Sequence, residues 1–287
     1  MDDIKTIAKE LLSSGKVNAV IGYMNGTDKR TKPYIATTPE ETDKLVINDY
    51  VLNNLAVYLT RKEVEKYGKV AIVAKGCDIK SIVALIQESQ IKRENIHIIG
   101  INCNGVPKDF DIEFNADTIS AKCLNCQVRT PHLYDTLTGE AKDLPKADDN
   151  NLKMIRKVEA MTAEEKWNFF EEEFNKCIKC YVCRQACPLC YCERCIVDKS
   201  VPRWIESSAH KRGNFSWNLI RAFHLSGRCI GCNECERACP MDIPLSLLNR
   251  KMGMTANEEF SFISGMDINA PTLVGTYDLK DNESFIE

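Results

Sequence analysis

Histidine is scarce in this chain, with 4 among 287 residues at scattered positions. No HExxH pair, no Ser–His–Asp set and no paired-carboxylate site can be picked out. Zinc-protease and serine-hydrolase chemistry therefore have no residues to work with. The glycine pattern GxGxxG is missing as well, which removes the dinucleotide-binding fingerprint. Neither sign of charge is in large excess. With 38 Lys and Arg against 41 Asp and Glu the formal net charge is −3, so neither nucleic acid nor an anionic membrane surface is expected as a partner. Long apolar runs are lacking too. The longest, near Val70–Ala74 and Ile96–Ile101, are far too short to span a bilayer, and no transmembrane segment is expected. The N-terminal stretch MDDIKTIAKELLSSGK opens with acids and lacks the basic and apolar regions of a signal peptide, so the expected location is the cytoplasm.

Cysteine is plentiful, with 15 residues. Disulfide frameworks belong to short exported domains, so these thiols point to metal or redox chemistry, and their density suggests an anaerobic cell. Eight of them form two runs of one design. The first is Cys177-x2-Cys180-x2-Cys183-x3-Cys187-Pro188 and the second is Cys229-x2-Cys232-x2-Cys235-x3-Cys239-Pro240. Three thiolates two residues apart can wrap one face of a [4Fe-4S] cubane on a tight turn. The fourth lies too far along to reach that cluster and serves the other one. The proline after it turns the chain away. The spacing therefore assigns Cys177, Cys180, Cys183 and Cys239 to one cluster, and Cys229, Cys232, Cys235 and Cys187 to a second. A pair of four-cysteine zinc sites competes with this reading, although zinc motifs ordinarily pair two CxxC units.

Four further cysteines fall in an N-terminal domain taken as residues 1–150. Hydrophobic periodicity predicts an opening helix that carries Ile4, Ile7, Ala8, Leu11 and Leu12. It predicts strands over 17–24, 34–38, 69–74 and 97–102, with helix over 40–67, broken near Asn53 and Asn54, and over 79–90. Such spacing makes a βαβ unit with a parallel sheet, whose ligands bind beyond the carboxyl ends of the strands. Cys77 and Cys103 each follow a strand's carboxyl end and could face each other across that crevice. Cys123-x2-Cys126 comes next on a loop, and the four could hold a third cluster. Otherwise Cys77 and Cys103 are buried apolar thiols, with Cys123 and Cys126 half a zinc site or without a role. Lys75-Gly76, at a helix start, could cradle a phosphate of a flavin or nucleotide, or simply make a turn.

Residues 130–151, with Pro131, Gly139 and Pro145, read as an exposed connection. A second domain is taken as 151–255, and 256–287 as a C-terminal tail on the surface or against a partner. The stretch 152–174 reads as two helices jointed at Thr162, which fits a capping box with Glu165. Trp167, Phe170 and Phe174 recur at helical spacing and are expected to pack under the clusters. Cys190, Cys192 and Cys195 are extra. They could bind most of a fourth cluster, pack beside the other clusters, or replace Cys187 as a ligand. The fold class is thus an α/β N-terminal domain with a parallel sheet, followed by a mainly α dicluster ferredoxin domain.

The long, helix-compatible insertion between the runs resembles the α-helical ferredoxins of succinate dehydrogenase iron–sulfur subunits and heterodisulfide reductase small subunits. A second resemblance rests on Lys75-Gly76-Cys77 before a helix, Ile-Gly-Ile-Asn-Cys103-Asn-Gly after a strand, and Cys123-x2-Cys126. Over about residues 1–130 these resemble the coenzyme F-420 hydrogenase/dehydrogenase beta-subunit family. That resemblance implies iron–sulfur clusters, often FAD, and electron exchange with a soluble carrier. The expected function is an electron-transfer subunit of a cytosolic anaerobic oxidoreductase complex of formate dehydrogenase-, hydrogenase- or heterodisulfide reductase-like type. Its partner subunits would catalyse the primary reaction. One alternative is a flavin-containing subunit that itself reduces or oxidises a deazaflavin. Another is a zinc-stabilised adaptor.

Overall fold

The computed structural model describes residues 3–110, 112–115, 117–124, 126–140, 150–276 and 279–280. The expected connection at Pro145 and the last residues of the expected tail, 281–287, lie outside the described residues. Two compact units emerge, one over Met1–Asp149 with Gly265–Ile268, the other over Asn150–Ser264 with Asn269–Glu287. Among the described residues no helix is long and apolar enough to cross a membrane.

The first unit starts with helix α1 (Ile4–Ser13), which buries Ile4, Ile7, Ala8 and Leu11 along one face. Strands β1 (Ala19–Asn25) and β2 (Thr31–Ala36) follow, then the one-turn helix α2 (Lys62–Glu65), β3 (Val70–Ala74), α3 (Gly76–Gln87), β4 (Ile96–Ile101), the short α4 (Ala121–Leu124) and β5 (Thr136–Thr138). The strands form one sheet in the order β2-β1-β3-β4-β5. Only β2 runs antiparallel to its neighbour, so the sheet is mixed but mainly parallel. Every residue of β3 is buried, as the pattern VAIVA requires of a central parallel strand covered on both faces. The core gathers Ile21, Ile72, Ile79, Ile82, Ile98 and Ile99 around it.

Residues 40–67 do not form the helix that their periodicity predicts. They contain 3-10 turns at Glu40–Lys44 and Leu55–Tyr58, and α2. The reason lies in asparagines that compete for backbone donors. Asn48 Oδ1 accepts from Tyr50 N at 2.8 Å, and Asn54 Oδ1 accepts from Ala56 N at 3.0 Å. The apolar residues Val51, Leu52, Leu55 and Ala56 are buried all the same, as irregular core rather than as a helix face. Helix α3, by contrast, begins three residues before its predicted start, which places Cys77 in its first turn.

The second unit is helical. It contains α5 (Asn150–Glu159), α6 (Ala163–Asn175), α7 (Val182–Ala186), α8 (Lys211–His224), α9 (Glu234–Arg237) and α10 (Ser246–Phe260). The joint at Thr162 is a capping box: Thr162 N donates to Glu165 Oε2 at 2.7 Å, and Glu165 N donates back to Thr162 Oγ1 at 3.3 Å. The aromatic stripe after it splits. Phe174 is buried in the core that also holds Cys183 and Cys235, and Phe170 packs at its edge. Trp167 is 55% exposed, because it stacks on Phe215 from outside at a centroid distance of 4.6 Å. The helix α10 runs through residue 260, so the first residues of the expected tail are helical, and Leu247 and Met254 pack on Ile155 and Val158 of α5.

Candidate metal centres

The two cysteine runs fold into the same turn. In the first, Lys179 and Tyr181 adopt left-handed conformations with φ of 57°, and in the second Gly231 and Asn233 do so with φ of 72° and 55°. These are equivalent positions, the residues flanking the second cysteine of each run. Left-handed backbone is costly for side chains such as Lys and Tyr and persists only where the surroundings dictate it. A short helix follows in each case, α7 carrying Cys183 and α9 carrying Cys235. Around the first run, Cys177, Cys180 and Cys183 line one cavity together with Cys239 of the second run, and Trp217, Ile243 and Leu245 complete its apolar wall. Asn214 holds the turn by donating from Nδ2 to Cys177 O at 2.7 Å.

Cys187 lies within electrostatic reach of the three leading cysteines of the second run. Its charge acts on Cys229, Cys232 and Cys235, each of whose thiols burial pushes up, Cys235 to about 12. Cys187 itself goes the other way, to about 6, because the Cys190 thiol donates a hydrogen bond to it and Arg221 lies near. Cys239 thus lines a cavity with the three leading cysteines of the first run, and Cys187 lies near the three leading cysteines of the second. Among the described residues no three His, Cys, Asp or Glu side chains converge as around one metal ion. A cubane spreads its ligands over four irons and asks for wider thiol spacing than a single tetrahedral ion does.

The extra cysteines lie apart in their contacts. Cys190 sits against Cys187, Cys195 against Arg184, and Cys192 is exposed.

In the first unit, Cys77 lies in the first turn of α3 and Cys103 follows β4, both beyond the carboxyl ends of their strands. Cys77 and Cys103 lie within electrostatic reach of each other, and Cys103 within reach of Cys123 and Cys126. Burial pushes all of Cys77, Cys103 and Cys123 up, Cys103 to about 11. The loop carrying Cys123 and Cys126 is sewn to this edge. Cys103 N donates to Arg129 O at 2.9 Å, and the Cys126 thiol to Val128 O at 3.3 Å. Gly76 permits the approach, since a Cβ there would stand 1.6 Å from Val128 O. Gly76→Ala is expected to push this loop away and destabilise the unit by about 1–3 kcal/mol. Thermal unfolding, and thiol labelling of Cys123 and Cys126 in metal-free protein, would measure it. Unchanged labelling and melting would show that the loop closes some other way.

Lys75 does not face outward to an anion, as the phosphate-cradle expectation required. Its ammonium is buried, paired with Asp78 Oδ2 at 2.9 Å, and donates to Tyr23 Oη and, at 2.8 Å, to Asn53 O. Tyr23 Oη donates in turn to Asn53 O at 2.6 Å. Burial opposes the lysine's charge, but Asp78, Tyr23 and Cys77 hold it protonated, above the ordinary lysine range. Asp78 also accepts from Leu55 N at 2.5 Å and Lys75 N at 2.9 Å. This knot was missed in the sequence. Its one visible signal is an acid three residues after Lys75, which precedes the first turn of α3, where the acid satisfies a free N–H.

A separate cavity of about 540 Å³ opens at the carboxyl ends of β4 and β5, lined by Ile4, Leu45, Val46, Ile101, Asn102 and Thr138 among others. Asn102 donates from Nδ2 to Gly139 O at 2.9 Å, while its Oδ1 is buried with no partner among the described residues.

Residues 176–244 match the 4Fe-4S dicluster domain family. The chain is 27% identical to the F420-dependent formate dehydrogenase subunit beta of Methanocaldococcus jannaschii, over 76% of this chain and 78% of the relative. It is 23% identical to the F420-dependent formate dehydrogenase 1 subunit beta of Methanococcus maripaludis, over 95% of this chain and 92% of the relative. A chain of the F420-reducing [NiFe] hydrogenase complex from Methanosarcina barkeri is a distant match, at 19% identity and a TM-score of 0.31 over 36% of this chain and 37% of that one. The dicluster match and the two long relatives agree with the resemblance read from the motifs: the chain contains a 4Fe-4S dicluster segment and is similar over most of its length to beta subunits of F420-dependent formate dehydrogenases.

Proposed function

We propose that the chain is an iron–sulfur electron-transfer subunit of a cytoplasmic oxidoreductase complex, with the primary reaction carried out by catalytic partner subunits. One [4Fe-4S] cluster is held by Cys177, Cys180, Cys183 and Cys239, and a second by Cys229, Cys232, Cys235 and Cys187. The observation that carries this reading is Cys239, which reaches from the second run into the cavity lined by the three leading cysteines of the first. A third cluster on Cys77, Cys103, Cys123 and Cys126 rests on the loop that Gly76 admits to the end of the sheet. Bound clusters supply single-electron transfer, at potentials governed by burial, charge and hydrogen bonds to sulfur. The chain's own residues fix the ligands in strained turns, exclude water with Trp217, Ile243 and Leu245, and hold the Cys77 turn with Asp78. The relatives' names point to formate as the donor and a soluble deazaflavin as the acceptor of such a complex.

Anaerobically purified protein is expected to contain about twelve iron and twelve sulfide per chain. About eight would confine clusters to the two runs and remove the third site. Zinc in place of iron and sulfide would make the chain an adaptor.

A second reading adds a flavin that splits a two-electron transfer into single electrons. The cavity beyond β4 and β5 favours it, being of ligand size and combining an apolar wall of Ile4, Leu45, Val46 and Ile101 with the polar Asn102 and Thr138. FAD retained through anaerobic gel filtration supports this reading, and no binding at saturating FAD removes it.

A further inference from the structure

The helix α8 presents Trp217, Asn218, Arg221 and Ala222 to the interior, so a cation stands in its buried stripe. Arg221 is 5% exposed. Its Nη2 donates to Cys183 O at 3.2 Å, while its Nε is buried without a hydrogen-bond partner among the described residues. Cys183 and Cys235, one from each crossed set, are buried in one core with Trp217, which lies one turn before Arg221 on α8, and the charges of Cys235, Cys187, Cys190 and Cys183 act on the guanidinium. Cys183 belongs to one crossed ligand set, Cys187 and Cys235 to the other. A guanidinium cannot shed its proton, and a buried charge is tolerated only against opposite charge. With clusters bound, that opposite charge is the ligand thiolates of both sets.

We infer that Arg221 is a fixed cation shared by the two cluster sites, raising the midpoint potentials of both together. Adding one electron to either cluster adds one negative charge near the guanidinium. The low-dielectric interior makes that attraction strong, so the reduced form is favoured at each site. Sharing one cation keeps the two potentials in step, which suits an electron that must pass from one cluster to the next. The inference rests on the two-cluster reading above. Iron and sulfide in the wild-type chain test that reading first and separately.

The test is an EPR-monitored redox titration of the full chain, purified without oxygen, as wild type, Arg221→Gln and Arg221→Lys. Arg221→Gln with full iron is expected to show both midpoint potentials shifted to more negative values, and Arg221→Lys to remain near wild type. Should Arg221→Gln fail to assemble clusters while Arg221→Lys assembles them at wild-type potentials, the charge itself is what the site needs and the inference stands. Unchanged potentials in a fully loaded Arg221→Gln protein would overturn it. So would an Arg221→Lys protein that fails to assemble or shifts as far as Arg221→Gln, because the guanidinium would then act through its hydrogen bond to Cys183.

Discussion

Asp78→Ala is expected to destabilise the first unit by about 3–5 kcal/mol, the cost of stranding a buried charge. The carboxylate is wholly buried and does three things at once. It neutralises Lys75, accepts Lys75 N at the start of α3, and accepts Leu55 N from the irregular segment beside it. Alanine leaves a buried ammonium with only Tyr23 and the Asn53 carbonyl for company. The double variant Lys75→Met/Asp78→Asn removes both charges and keeps an acceptor, and is expected to lose much less. Anaerobic urea unfolding of metal-free protein, read by hydrogen exchange over α3, compares them. Equal losses in the two variants would show that the hydrogen bonds of Asp78, and not its charge, hold the unit together. Since Cys77 lies between the two residues and its carbonyl accepts from Asn54 Nδ2 at 3.1 Å, the Asp78→Ala protein is also expected to be the poorer in iron.

The second large effect concerns which cysteines share a cluster. Cys180→Ala and Cys239→Ala are each expected to remove about four iron, and the double variant Cys180→Ala/Cys239→Ala no more than either alone. Cys180→Ala/Cys187→Ala, in contrast, is expected to remove about eight, because it strikes one ligand of each cluster. Additivity is the discriminating quantity: ligands of one cluster act as a unit, and ligands of different clusters act separately. If each run held its own cluster, the outcomes of the two doubles would be exchanged. Iron analysis and EPR spin counts on the four proteins decide it.

The dicluster pattern could be read directly from spacing. Two residues between cysteines is a local property, and so is the turn it makes. Lys179 and Tyr181 mirror Gly231 and Asn233 because the same short loop must be closed in both runs. Four strands of the first unit were equally legible, since an unbroken apolar run such as 70–74 has no stable place except inside a sheet covered on both faces; β5 was not, because its three residues lie in the stretch read as an exposed connection and carry no apolar run of their own. Residues 40–67 misled because buried irregular chain and helix both carry spaced apolar residues. Backbone hydrogen bonds accepted by the side chains of Asn48 and Asn54 decided the outcome. Trp167 misled for a related reason: position on a helix face does not say whether anything lies over it.

The sequence by itself determined the chemistry of this protein, because cluster ligation depends on residue type and on separations of two or three residues. Only the tertiary structure decided what surrounds that chemistry. It set Cys239 in one cavity with Cys177, brought Arg221 to the Cys183 carbonyl, and turned Lys75 inward to Tyr23 and Asn53. These are meetings between distant segments. They follow from how apolar faces pack and from the rule that buried charge must find its opposite, neither of which is written in the spacing of neighbouring residues.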